Sequence, residues 1–66
     1  MKLQLSNRGN LSTVFEESDT SIAYRRWTDF TEFVETFADR VTYLTPRTIR
    51  VYMNGNYSTY RLLECF

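Results

Sequence analysis

The sequence predicts a small α+β domain, an antiparallel sheet with one amphipathic helix across one of its faces. Three observations carry that prediction: a helical apolar stripe in mid-chain, an Asn-Gly hairpin signal in the C-terminal third, and short apolar runs split by turn residues near the N-terminus. With 66 residues there is room for one hydrophobic core, so residues 1–66 are read as a single domain. A chain this short buries only about 60% of its unfolded surface. Its aromatic content of 17%, including Trp27, supplies large rings to compensate.

The elements follow in chain order as β-β-β-α-β-β. Leu3 and Leu5, Leu11 to Phe15 and Ile22 to Trp27 read as three strands. They are divided by Asn7-Arg8-Gly9-Asn10 and by Ser18-Asp19-Thr20. Ser21 to Trp27 also fits a backward extension of the helix, because Ile22, Tyr24 and Trp27 suit either state. Phe30, Phe33, Val34, Phe37 and Val41 recur at helical spacing and predict a helix whose apolar stripe is the core. Thr28 or Asp29 caps it, Arg40 suits its C-terminal end, and it stops near residue 41, ahead of Pro46.

The final hairpin runs from Thr48 to Met53, turns at Asn54-Gly55-Asn56 and returns from Tyr57 to Cys65. Both central residues of a type I′ turn need positive φ, which Asn-Gly supplies. Period-two alternation then puts Ile49, Val51 and Met53 on one face with Ser58, Tyr60 and Leu62. Arg50, Tyr52, Tyr57, Thr59 and Arg61 fall on the other.

The chain holds no histidine and a single cysteine, Cys65, so Cys/His metal spacing is absent and neither a metal nor a cofactor is expected. Gly9 and Gly55 stand in turns rather than in a phosphate-cradling loop, and Glu16 and Glu17 are adjacent, which points them to opposite faces of a strand. No catalytic constellation emerges, and Cys65 reads as an inert thiol. Without an apolar leader or span, and with one unpaired cysteine, a cytoplasmic setting is expected, that of the host cell if the protein is viral. Membrane partners are not expected.

Eight bases and eight acids cancel, but they are not mixed. Asp29, Glu32, Glu35 and Asp39 follow one another with no base between, as an acidic helix face that could imitate a run of phosphates. Arg47, Arg50 and Arg61 give the C-terminal hairpin a basic cast, and seven of the eight bases are arginine. Two binding surfaces are expected. One is the outward hairpin face of Arg50, Tyr52, Tyr57 and Arg61; the other is the cluster Arg25, Arg26, Trp27 before the helix. Tyr, Trp and Arg dominate protein hot spots, so the leading expectation is a non-enzymatic module that binds and inhibits a larger host protein, in the manner of viral or mobile-element accessory proteins. The alternative is single-stranded nucleic acid on the Tyr/Arg face, with zero net charge counting against it. Free sheet edges leave homo-oligomers open as well.

Overall fold

A computed structural model describes residues 1–64. It is an α+β fold with one helix packed on a five-stranded antiparallel sheet. The elements are β1 (Lys2–Asn7), β2 (Asn10–Glu16), α1 (Thr20–Phe37), β3 (Arg40–Thr45), β4 (Thr48–Met53) and β5 (Asn56–Leu63). Strand order across the sheet is β2-β1-β5-β4-β3, so the first and last strands pair at its centre.

The element order therefore differs from the expected β-β-β-α-β-β. The segment from Ile22 to Trp27 is the first half of α1, and residues 40–45 form a strand where the helix was expected to end. Asp19, not Thr28 or Asp29, caps the helix. Its backbone is extended and its Oδ1 accepts from the Ile22 N–H at 3.1 Å, satisfying one of the orphan donors of the first turn. At the other end the chain leaves the helix at Ala38 because a sheet edge offers partners instead. The Asp39 N–H donates to the Tyr52 carbonyl at 3.0 Å, and Asp39 Oδ2 accepts from the Asn54 N–H at 3.2 Å. Arg40 and Val41 are thus strand residues, with Val41 opposite Val51.

The buried helix face is also displaced from the expected stripe. Ala23, Trp27, Thr31 and Val34 are buried, with Phe30 packed against them, a spacing of i, i+4, i+7, i+8 and i+11. Phe30 and Val34 belong to the expected stripe, but Phe33 is 64% exposed and Phe37 is 46% exposed. At 100° per residue Phe33 sits well round the helix from Val34, and Phe37 falls in its last turn. The two rings lie edge to face at 4.9 Å on the surface.

The sheet contributes Leu3, Ile49, Val51 and Leu62 to the core, joined by Phe15, Val41 and Tyr60. Trp27, Phe30 and Tyr60 form an aromatic row, with centroids 6.2 Å and 4.8 Å apart. Trp27 also ties the helix to the β3–β4 turn, because its indole N–H donates to the Pro46 carbonyl at 3.2 Å.

Two of the three hairpins close on left-handed residue pairs. Arg8 and Gly9 have φ of 52° and 82°, and Asn54 and Gly55 have 52° and 79°, the pattern of type I′ turns. With Met53 opposite Asn56, the second turn has two residues and the even register expected for it.

Candidate functional site

In an antiparallel sheet, directly opposed residues share a face, so the register maps the side of the sheet that α1 leaves uncovered. Ile49 pairs with Tyr60 and Val51 with Ser58, on the helix side. Arg50 pairs with Thr59, Tyr52 with Tyr57 and Thr48 with Arg61, on the open side. The expected grouping of Arg50, Tyr52, Tyr57 and Arg61 on one outward face is therefore what the fold makes.

Neighbouring strands extend that face. On β3, Arg40 stands opposite Tyr52 and Thr42 opposite Arg50. On β1, Ser6 stands opposite Thr59, Gln4 opposite Arg61 and Lys2 opposite Leu63. On the edge strand β2, Leu11, Thr13 and Glu16 complete the rows. Between them lies a shallow concavity of about 200 Å³ bounded by Leu11 on one edge and Leu44 on the other, with Arg50 and Arg61 in its lining. Hydroxyl and amide side chains fill the remaining positions.

The charge on this face is lopsided. Among the described residues, Lys2, Arg40, Arg50 and Arg61 stand against Glu16 alone. None of the four has a carboxylate within 4 Å among the described residues; the ion pair found there is Arg47 with Glu64, 3.4 Å apart and well exposed. The Tyr52 and Tyr57 rings pack at 4.7 Å, and Arg50 lies 5.9 Å from the centre of the Tyr57 ring. Tyr57 is 56% exposed. Arg40 and Lys2 were not singled out by sequence. Arg40 was hidden by its assignment to the helix end, and Lys2 joins the face only because β1 pairs with β5.

The other expected surface divides. Trp27 is buried and structural, as its bond to Pro46 shows, whereas Arg25 and Arg26 are exposed on α1 rather than at a strand end. Arg26 lies over the Phe15 ring at 4.2 Å, beside a groove of about 390 Å³ that Val14, Phe30 and Phe33 also line. Val14 is the additional residue where the β1–β2 register shifts between Leu3 and Gln4.

The four acids do not make one helix face. Asp29, Glu32 and Glu35 are on α1, but Asp39 lies beyond its end and binds the backbone of the β4–β5 turn. Glu35 accepts from the Tyr43 hydroxyl at 2.8 Å, and that bond to an anion raises the phenol's pKa. A regular row of free carboxylates in imitation of phosphates is not present.

Among the described residues no group of three or more His, Cys, Asp or Glu is placed to hold a metal ion, and no helix is long and apolar enough to cross a membrane. Cys65 lies outside the described residues. Comparison with family models, with curated proteins and with solved structures found no match for the chain.

Proposed function

We propose that this chain is a non-enzymatic binding module that holds single-stranded nucleic acid on the uncovered face of its sheet. The observation that carries the reading is the segregation of charge: half of the eight bases stand on that one face with a single acid. Zero net charge, which weighs against nucleic acid in the sequence, loses its force once the charges are separated in space. The smallest principal extent of the molecule is 17 Å. That is about twice the roughly 8 Å over which physiological salt screens a charge, so a polyanion on the sheet is affected mainly by the face it touches.

The side chains suit such a ligand. Arginine guanidinium groups bind phosphate bidentately, tyrosine faces accept any base by stacking, and hydroxyls serve sugar and base edges. Tyrosine and arginine are also enriched in the cores of protein–protein interfaces, so it is the spread of four bases without a carboxylate partner, and not the residue types, that favours a polyanion here.

The test is titration with labelled (dT)8 and (rU)8. Affinity that falls steeply with salt, and a loss of about 1–3 kcal/mol per ring in Tyr52→Ala and Tyr57→Ala, supports the reading. Equal competition by polyglutamate would show that any polyanion suffices and would sink it.

A second reading rests on a different surface. Phe33 lines the groove with Val14, Phe15 and Phe30, the exposed Phe37 ring packs against it, and aromatic side chains are enriched in the cores of protein contacts. A larger host protein held there, as a viral or mobile-element inhibitor would hold it, would be retained in nuclease-treated pull-downs by wild type and lost by Phe33→Ala, Phe37→Ala.

A further inference from the structure

The four bases of the open face are arranged along a single line. Arg40 on β3 is in register with Tyr52, and Arg50 is two residues before Tyr52 on β4. Arg50 is in register with Thr59, and Arg61 is two residues beyond Thr59 on β5. Arg61 is in register with Gln4, and Lys2 is two residues before Gln4 on β1. Each step therefore crosses one strand and moves one face-sharing position in the same direction along the sheet.

With strands about 4.8 Å apart and two residues spanning about 6.8 Å, each step is roughly 8 Å and the whole diagonal roughly 25 Å between α-carbons. Four flexible cationic side chains at even intervals match a linear polyanion and have no counterpart in a compact anion, which would draw them to one point. The diagonal also divides the face unevenly. Tyr52, Tyr57, Thr59 and Ser6 lie on one side of it, with Thr42 and Thr48 on the other. Among the described residues, the rings of the face are therefore all on one flank.

We infer that Arg40, Arg50, Arg61 and Lys2 form a phosphate track along which the backbone of a single strand crosses the sheet obliquely, with its bases turned to the Tyr52–Tyr57 flank. This rests on the nucleic-acid reading above and adds a path, an orientation and a footprint of about four nucleotides, at the lower end of what a single binding sheet covers. Arg50 is the member of the track that borders the rings, 5.9 Å from the centre of the Tyr57 ring. From there one guanidinium can meet a phosphate while its plane borders a stacked base.

The experiment measures the salt dependence of (dT)8 binding for wild type and for Lys2→Gln, Arg40→Gln, Arg50→Gln and Arg61→Gln, each verified as folded by its thermal melt. Arg25→Gln, on the helix, is the control. For single strands the slope of log K against log salt is about −0.7 per phosphate contact, so wild type should give about −2.8 and each track variant should lose about 0.7. Arg50→Lys keeps the charge and should restore the slope. Wild-type binding with losses confined to one or two of the four positions, or shared equally by Arg25→Gln, would overturn the track while leaving the sheet-face reading in place. No binding by wild type would remove both.

Discussion

Trp27 and Phe33 show how a single side chain is assigned by its azimuth rather than by its hydrophobicity. Both are large rings on α1, but Trp27 is 5% exposed and Phe33 is 64% exposed. Trp27→Ala removes a buried ring and the bond to Pro46, and should cost about 3–5 kcal/mol, comparable with the whole stability of a chain this small. Phe33→Ala should shift the melt by no more than an ordinary surface substitution, within about 0.5 kcal/mol. Circular dichroism melts of the two variants check this, and similar destabilisation in both would mean that the buried stripe has been misplaced. Tyr60 supplies a pH test. Burial raises its phenol pKa above the ordinary 10.0, so the folded state holds the proton more tightly than the unfolded one. Its contribution is fully present below pH 10.0 and is lost as pH rises through the folded pKa. Tyr60→Phe keeps the ring and should flatten that alkaline decline in denaturant titrations between neutral pH and pH about 11; an unchanged decline would assign it to other tyrosines.

At the scale of elements, the β4–β5 hairpin was legible because its signal is local. Asn54-Gly55 specifies the turn, and strict alternation then sorts both strands without knowledge of anything distant. Gly55 is at φ +79° and a Cβ there would meet nothing within 4 Å, so the cost of Gly55→Ala is conformational and not steric. It should be about 1–2 kcal/mol in chemical denaturation, and a neutral result would mean that the turn adopts another type at little cost. The helix was only half legible. Its start lay in Asp19, whose carboxylate accepts from the N–H three residues on, but Ile22, Tyr24 and Trp27 have strand propensity and hid the helix they belong to. Asp19→Ala should cost about 1 kcal/mol, seen as a lower melting midpoint, whereas Asp29→Ala should leave the midpoint nearly unchanged; equal shifts would contradict the cap. The helix end was not legible because what stops it is remote. The bonds to Tyr52 and Asn54 draw Asp39 into the sheet, and nothing near residue 38 in the chain announces them.

For the whole molecule, the central pairing of β1 with β5 determines which residues can act together, and it joins parts of the chain almost its full length apart. Sequence alone could group Arg50, Tyr52, Tyr57 and Arg61, since one hairpin holds them, but could not bring in Lys2 or Arg40. The same topology gives a direct test of the division between stability and binding, because successive residues of a central strand serve opposite faces. Leu62 is 2% exposed under the helix, and its neighbour Arg61 is exposed on the open face. Leu62→Ala leaves a cavity in the core and should cost about 2–5 kcal/mol. Whatever fraction remains folded still presents an intact binding face, so its affinity for (dT)8, corrected for that fraction, should equal wild type. Arg61→Gln should keep the melting midpoint within the error of a surface change and lose affinity instead. Thermal melts and oligonucleotide titrations on the two variants therefore give opposite patterns if the sheet has one structural face and one binding face. A loss of stability in both, with corrected affinity unchanged in both, would make the open face a structural surface and leave the Phe33–Phe37 groove as the place to seek a partner.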